Sequence, residues 1–289
     1  MHNLNFKFFC LDFKAAKNQN KNSHKNKHHK LYQYGNYCGY YSKRNGSEKQ
    51  GNQIEDVRLE FLKIFSEFHF QSKKVLDIGC NSGMITLSVA KMFNPKAILG
   101  IDIDSGLIGK NYKMSVVQFL TQFISDRARS NLETEKKDPE FENNPEIMNS
   151  LKNVTFRTAN YILKDINRLE FETAQYDTIL CLSVTKWIHL NFGDDGIKFL
   201  FQRIYKQLNT NGILILEPQS FKTYKKRSKL TPEIEEHYKN IKLRPSDFKK
   251  YLIEDVGFKV KEYADINQEL PLRHTAQGFN RPMNVYEKS

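Results

Sequence analysis

Cysteine is scarce in this chain, and the little there is lies scattered. Cys10, Cys38, Cys80 and Cys181 form no CxxC pair, which argues against a zinc site and against a disulfide framework and fits a reducing compartment. Long apolar runs are also lacking. None reaches the roughly 18 residues that a membrane-spanning helix needs. The apolar cluster Phe6–Phe13 is broken by Lys7 and Asp12 and is too short and too charged for a signal peptide. The expectation is a soluble, intracellular protein with no membrane partner. No internal repeat is present. Acidic residues are missing from one stretch: apart from Asp12, residues 10–30 contain none, while they hold Lys14, Lys17, Lys21, Lys25, Lys27 and Lys30.

What is present is a basic chain with enough apolar residues for a core. Its 289 residues are 39 % hydrophobic, and 45 Lys and Arg stand against 33 Asp and Glu, a net charge of +12. That balance favours a polyanionic partner. Length and composition suit one large α/β domain with extensions. Residues 1–30 read as a basic, Lys/Asn-rich disordered tail, either solvated or in contact with RNA. Residues 31–289 read as the folded domain, with a polar surface insertion at about 125–150 marked by Lys136-Lys137-Asp138-Pro139 and Asn143-Asn144-Pro145.

Within the domain the hydrophobic pattern alternates between strand and helix. Strands are expected at Lys74–Ile78, Ala97–Asp102, Val154–Phe156, Tyr176–Leu182 and Gly212–Leu216. Helical spacing at Ile85, Val89 and Met92 stops at Pro95, and a second amphipathic helix is expected from Ile197 to Leu208, ending at Asn211-Gly212. Gly257–Tyr263 and Pro282–Tyr286 suggest a closing strand pair. The alternation predicts an α/β fold with a doubly wound, mostly parallel sheet. In such sheets ligands bind beyond the carboxyl ends of the strands, at the switch point. The loops after Ile78, Ile101, Phe156, Leu182 and Leu216 should therefore surround one site.

The first of these loops, Asp77-Ile78-Gly79-Cys80-Asn81-Ser82-Gly83, follows a strand and opens a helix. Its glycines permit tight turning and close backbone approach to a ligand. It lacks the GxGxxG spacing that cradles a pyrophosphate. The next strand ends in Asp102-Ile103-Asp104, and an acid about 20 residues past the glycines suits the two hydroxyls of a ribose. Together these features favour an adenosyl amino acid over a dinucleotide. Cys80 has no base paired with it and is expected to pack or to line the loop.

Four further segments sharpen the reading: Tyr34-Gly35-Asn36-Tyr37-Cys38-Gly39-Tyr40-Tyr41, Leu182-Ser183-Val184-Thr185-Lys186-Trp187-Ile188-His189-Leu190-Asn191, Leu216-Glu217-Pro218-Gln219 and Gly278-Phe279-Asn280-Arg281-Pro282. With the glycine loop and the Asp102 turn, they make the chain resemble the methylphosphate capping enzymes, the bicoid-interacting family of RNA methyltransferases. The resemblance runs from Tyr34 to Tyr286, the polar insertion excepted. It implies a Rossmann-like, class I methyltransferase fold that uses S-adenosylmethionine and releases S-adenosylhomocysteine. It implies methyl transfer to the γ-phosphate of a 5′-triphosphate on a small noncoding RNA, such as a 7SK-like, spliceosomal or telomerase RNA. Ribonucleoprotein proteins as partners and a nuclear location are implied with it. A sister branch of the family methylates 5′-monophosphates. The cofactor residues that the resemblance implies are Tyr40, Arg58, Asp77, Gly79, Cys80, Asn81, Gly83, Asp102, Ile103, Asn160, Tyr161 and Leu182. The phosphate-handling residues it implies are Tyr40, Tyr41, Arg44 and Lys186. The sequence departs from the family pattern at Gly39, where a basic residue is common, and at Phe192 and Phe221, which stand in place of Trp.

The chemistry such a site must perform is modest. A terminal phosphate ionises for the second time near pH 6 and is largely anionic at pH 7, so it needs positioning more than a general base. Lys186 and Arg44 could hold phosphates, Lys as a point charge and Arg as a planar fork. Tyr40 and Tyr41 offer hydroxyls and ring faces, whereas Tyr34 and Tyr37 read as structural. His189 is either a base or a packed histidine, and Trp187 reads as core or site wall. Glu217 is expected to orient Lys186, Arg44 or a backbone donor. Lys222, Lys225, Lys226, Arg227 and Lys229 are expected to touch RNA backbone, with a helix over Thr231–Tyr238 closing above them. Two other readings stay open: a module that binds capped RNA with little turnover, and a methyltransferase acting on small molecules.

Overall fold

The computed structural model describes residues 32–36, 40, 56–64, 69–108, 151–163, 165–261 and 281–289, and these belong to one compact unit, Tyr32–Ser289. Tyr37, Gly39, Tyr41, Arg44, the tail at 1–30 and the insertion at 125–150 lie outside the described residues.

Strand β1, Lys74–Ile78, is followed by α2, Met84–Phe93, the helix α1 at Val57–Ile64 having come before. Gly83 opens α2 at φ 83°, and Asn94 closes it in the left-handed region with its N–H on the Ala90 carbonyl. Pro95 then cannot continue the helix. Strands β2 (Ala97–Asp102), β3 (Val154–Thr158) and β4 (Tyr176–Leu182) follow. The long helix α3 (Thr185–Gln207) leads directly into β5 (Leu208–Glu217). After two short 3₁₀ turns come α4 (Pro232–Asn240) and α5 (Phe248–Tyr251), then β6 (Phe258–Val260) and β7 (Asn284–Lys288).

Among the described residues, seven strands form one sheet in the order β3-β2-β1-β4-β5-β7-β6. The first five are mutually parallel, while β7 lies antiparallel between β5 and β6. The order reverses between β1 and β4, which is where a doubly wound sheet opens a crevice for a ligand. The expected closing pair is present, with β7 inserted next to β5 rather than appended at the edge.

Strand alternation divides the core into two layers. Ile179, Cys181, Leu214 and Leu216 face one layer, against Leu200 and Ile204 of α3. Leu180, Leu182, Ile213 and Ile215 face the other, against α1 and α2 through Leu59, Leu62, Ile85 and Val89. Each such side chain, removed from water, contributes roughly 1.5–3 kcal/mol of transfer free energy. A single-residue slip of β4 or β5 would exchange the two faces, so the register is firmly set.

Two elements differ from the sequence expectation. The helix expected at Ile197–Leu208 begins twelve residues earlier, at Thr185, so the Thr185-to-Asn191 motif is helical. Gly193, at φ 63° and ψ −163°, kinks it without ending it. The run Gly193-Asp194-Asp195-Gly196 looks like a helix breaker, but tertiary bonds to Asp194 hold the two halves together. The helix then stops at Gln207, not at Asn211-Gly212. That pair sits within β5, where Asn211 takes φ 61° and the β4–β5 register shifts. A side chain at position 212 would meet the Asn209 carbonyl oxygen at 2.8 Å, so the irregular strand requires glycine there. The helix foreseen at Thr231–Tyr238 is α4, with Thr231 Oγ1 accepting from the Ile234 N–H at 3.2 Å.

Candidate active site

The carboxyl ends of β1 and β2 build one half of the crevice. Leaving β1, the chain turns at Gly79, whose N–H and that of Cys80 donate to the Ile101 carbonyl at 2.8 and 3.0 Å. Gly79 takes φ 72°, and a Cβ there would lie 2.7 Å from Val184 Cγ2; the turn needs glycine both for its backbone and for space. Gly83 at φ 83° is pressed against the Phe156 ring in the same way. Asn81, at φ 54°, donates its N–H to Asp102 Oδ2 at 2.9 Å, while Asp102 Oδ1 accepts from the Asp104 N–H at 2.9 Å. Burial raises the Asp102 carboxyl above the usual carboxylate range, and these two N–H groups pull it back toward the ionised form.

A pocket opens above this turn, at the crevice where such sheets take ligands. Gly79, Asp102, Ile103, Asn160 and Tyr161 line it, together with Ile78, Ile101, Val184, Trp187 and Phe192. Asn160 Oδ1 accepts from the Ile162 N–H at 3.0 Å, and the Tyr161 hydroxyl donates to Gln207 Oε1 at 2.9 Å, so both are held from behind. The segment Tyr32–Asn36 runs as a strap along the pocket. Gln33 Nε2 donates to Asn191 Oδ1 at 2.9 Å, Asn191 Nδ2 returns a bond to the Gln33 carbonyl at 3.0 Å, and Asn36 Nδ2 donates to Asp104 Oδ2. Gly35, at φ 71°, packs where a Cβ would strike the Trp187 ring. Tyr34, expected to be mainly structural, lines the pocket beside the Gly35 turn.

The chemistry of these walls fits an adenosyl amino acid. Apolar and aromatic surface predominates, one carboxylate stands at the end of β2, and the backbone at Gly79 can be approached closely.

Other residues named from sequence lie beneath the pocket instead of on its wall. Asp77 is buried under the loop, accepting from Thr86 Oγ1 at 2.6 Å. Burial pushes its carboxyl up to about 6, against the opposing pull of Thr86 and Arg58. Cys80 is buried and its thiol is pushed well up by desolvation, which leaves it a poor nucleophile. Leu182 packs in the layer of α1 and α2. Arg58 is buried, paired with Asp56 at 2.8 and 2.9 Å and 3.8 Å from Glu217, with its guanidinium 5.9 Å from the centre of the Tyr40 ring.

The ends of β4 and β5 build the other half, and it is cationic. Lys186 occupies the first turn of α3, its Nζ 4.7 Å from the centre of the Trp187 ring. Burial lowers its pKa to about 8, helped by the positive charges of Arg281, Arg227 and Lys226. No acid stands in that first turn, although acids are what a helix N-terminus favours. The Lys186 N–H donates to Gln219 Oε1 at 3.0 Å, Thr185 Oγ1 donates to the same oxygen at 3.0 Å, and Gln219 Nε2 donates to the Ser183 carbonyl. Gln219 thus sets the start of α3; of the partners expected for Glu217, Arg44 lies outside the described residues. Glu217 instead accepts from the Ser183 hydroxyl, and that hydroxyl accepts from Arg281 Nη1 at 2.7 Å. The sequence reading gave Arg281 no role. Its only signal was the Arg281-Pro282 motif just before β7.

His189 lies fully buried behind this surface. Its Nε2 is 2.8 Å from Asp194 Oδ1 and its Nδ1 3.4 Å from the Tyr224 hydroxyl, with its ring edge-on to Tyr224. Of the two readings of His189, the packed one holds. Asp194 Oδ2 also accepts the N–H groups of Lys242 and Leu243, so this cluster docks the end of α4 onto the kink in α3. Phe221 stacks on Tyr238, ring centres 5.6 Å apart, and carries Arg244 at 5.1 Å. The aromatic positions that replace Trp therefore keep a wall function (Phe192) and a stacking function (Phe221). Among the described residues no group of three His, Cys, Asp or Glu side chains gathers as a metal site, and no helix is long and apolar enough to cross a membrane.

Comparison with known proteins adds an independent line. Residues 176–288 match the model of the Bicoid-interacting protein 3 family and residues 76–216 that of a methyltransferase domain. The chain is 39 % identical over 259 residues to the U6 snRNA methylphosphate capping enzyme Amus of Drosophila melanogaster, covering 89 % of this chain and 75 % of the fly protein. It is 37 % identical over 296 residues to the 7SK snRNA methylphosphate capping enzyme of Homo sapiens, covering 91 % of this chain and 40 % of the human protein. At greater distance, it is 26 % identical over 223 residues to the pre-miRNA 5′-monophosphate methyltransferase of Xenopus laevis, covering 73 % of this chain and 77 % of the frog protein.

Proposed function

The chain belongs to the bicoid-interacting family of S-adenosylmethionine-dependent RNA methyltransferases, and from that premise we propose that it caps RNA by methylating the γ-phosphate of a 5′-triphosphate. The observation that carries the proposal is the division of one crevice into two halves: a largely apolar and aromatic pocket with the Asp102 carboxylate at β1 and β2, and a cationic rim at β4 and β5 where Arg281, Arg227 and Lys226 all act on Lys186. Trp187 walls the first half and carries the Lys186 ammonium of the second. A methyl donor held in one half therefore faces an anion held in the other.

The residues divide accordingly. Gly79, Asp102, Ile103, Asn160 and Tyr161 hold the cofactor, Asp102 accepting from ribose hydroxyls. Asp77, Cys80, Asn81 and Gly83 shape the loop, and Arg58, Tyr40 and Leu182 support it. S-adenosylmethionine, when bound, supplies an electrophilic methyl group on a positively charged sulfur. Methyl transfer to a phosphate oxygen would be balanced by loss of the C–S bond and release of S-adenosylhomocysteine. The phosphate enters already ionised, so the chain supplies alignment and charge, not a base; the buried His189–Asp194 pair is not needed for it. Lys186, with Arg44, Tyr40 and Tyr41, holds the phosphates, and the stretch Lys222–Lys229 follows the RNA backbone. The first turn of α3, lacking an acid and carrying a lysine, departs from helix preference in the way expected where an anion is to bind.

The fly and human relatives are named for U6 and 7SK snRNA. A spliceosomal or 7SK-like RNA, met in the nucleus as a ribonucleoprotein, is accordingly the proposed substrate. A 5′-monophosphate is the second reading, on the strength of the frog relative. The test is methyl transfer from labelled S-adenosylmethionine to one short RNA bearing a 5′-triphosphate, a 5′-monophosphate or a 5′-hydroxyl. Label confined to the triphosphate RNA is expected. Label on the monophosphate alone moves the protein to the second reading, and tight RNA binding without label moves it to a binding module.

A further inference from the structure

We propose that Arg281 is a direct ligand of the RNA's 5′-phosphates and that Ser183, held by Glu217, is the residue that positions it. This rests on the reading of the crevice as a phosphate site. Three observations lead to it.

The topology brings Arg281 to the ligand edge from the far end of the chain. Strand β7 runs antiparallel to β5 with Asn284 opposite Leu216, one residue before β5 ends at Glu217. Arg281, three residues ahead of Asn284, therefore projects past the carboxyl end of β5, beside the end of β4. There Arg281 Nη1 donates to Ser183 Oγ at 2.7 Å.

Ser183 is built for this contact. It takes φ 60°, a conformation that costs an L-residue energy and is retained chiefly where the surroundings demand it. It is the first residue after β4, and three bonds fix it: its N–H to the Glu217 carbonyl at 3.0 Å, its carbonyl from Gln219, and its hydroxyl to the Glu217 carboxylate. Glu217 is itself buried, with Arg58 at 3.8 Å and Asp56 paired behind that guanidinium. Charges thus alternate along a line from the interior to the rim: Asp56, Arg58, Glu217, then Arg281 through the serine hydroxyl. A buried carboxylate aligned this way stabilises a cation at the rim that would otherwise be repelled by its neighbours.

Those neighbours are the third observation. Arg281 shares the rim with Lys186, and of the charges acting on that ammonium its own is the largest, ahead of Arg227 and Lys226. Like charges gathered in a partly desolvated place oppose one another until an anion enters. A guanidinium offers a planar fork to two phosphate oxygens, where a lysine offers a point charge. Fixing one corner of the fork on Ser183 sets its plane before the RNA arrives.

The test is equilibrium binding of a short RNA with a 5′-triphosphate, and of the same RNA with a 5′-hydroxyl, to the full chain in the presence of S-adenosylhomocysteine. The ratio of the two affinities isolates the contribution of the phosphates. Arg281→Ala is expected to cut that ratio about tenfold or more, the size of one lost charge-assisted hydrogen-bonded contact, with affinity for the hydroxyl RNA unchanged. Arg281→Lys should fall between. Ser183→Gly, which suits the positive φ and removes the hydroxymethyl group, should reduce the same ratio a few-fold, roughly in proportion to the lost orientation, with S-adenosylhomocysteine affinity unmoved. Equal losses on both RNAs, or an unchanged ratio in Arg281→Ala, would overturn the assignment. A phosphate-dependent ratio that needs Arg281, in a wild-type chain that transfers no methyl group, would uphold this inference and count against catalysis instead.

Discussion

Lys186 makes the strongest pH-dependent prediction. Its folded-state pKa is lowered from 10.5 to about 8, by burial first and by Arg281, Arg227 and Lys226 after it. An entering phosphate would set an opposite charge among those like-charged neighbours and favour the ammonium again. Between about pH 8 and the higher pKa of the complex, binding must therefore take up one proton. Affinity for a 5′-triphosphate RNA should be level between about pH 6.5 and 8, where phosphate and lysine are both charged. It should then fall by up to about tenfold per pH unit, the limit for one linked proton. The sign for stability is opposite. In the free protein the lowered pKa means that folding is opposed by the buried charge below about pH 8, and this opposition is relieved as pH rises from about 8 toward 10.5. Binding should be followed by fluorescence anisotropy from pH 6.5 to 9.5 with wild type and Lys186→Arg, whose guanidinium stays charged throughout. A break near pH 8 in wild type and none in Lys186→Arg is expected. The same break in both proteins, or a flat wild-type profile, would refute the argument.

Three other expectations follow from the geometry. Gly79→Ala places a Cβ 2.7 Å from Val184 Cγ2 at φ 72°, which should cost about 2–4 kcal/mol between strain and overpacking; calorimetry should show weaker S-adenosylhomocysteine binding, partly restored by Val184→Ala, and an unchanged affinity would remove the close approach from the account. Asp102→Ala should weaken cofactor binding while leaving RNA affinity intact, and equal losses for both ligands would mean that the crevice is not divided in two. Asp194→Asn weakens bonds to His189, Lys242 and Leu243 and should lower stability by about 1–3 kcal/mol. Although partial burial alone would raise it, the Asp194 carboxyl is held below its usual range by His189 and the two N–H groups. Its contribution is therefore complete at neutral pH and lost as pH falls through that lowered value, so the wild-type advantage over Asp194→Asn in thermal denaturation should shrink on acidification.

Much of this protein was legible in its sequence because the deciding forces are local. Alternating apolar residues set the two faces of β4 and β5, Gly79 and Gly83 occupy conformations that other residues resist, and Pro95 ends α2 by removing a donor. The acid at Asp102 falls at the end of β2 because strand length and loop length fix its distance from the glycines. The capping-enzyme motifs that end β1, β2, β4 and β5 could be read for the same reason, each being a short run attached to one strand end.

The rest depends on groups distant along the chain that meet only in the fold. Sequence could not show that Thr185–Gln207 is continuous through Gly193, because the bonds that hold Asp194 come from His189 and from the backbone at Lys242 and Leu243. It could not decide whether His189 is a base or a packed side chain, which its burial against Asp194 and Tyr224 settles. It left the partner of Glu217 open among Lys186, Arg44 and a backbone donor, since the Ser183 hydroxyl that meets its carboxylate is brought there only when β4 and β5 pair. Along the sequence Arg281 is one residue of a motif with no visible purpose, because its place at the rim is created by β7 entering the sheet beside β5. Period and turn chemistry act over a few residues and are written in order along the chain. Burial, charge compensation and the meeting of Lys186, Ser183, Glu217 and Arg281 act through space, and only the assembled sheet brings them together.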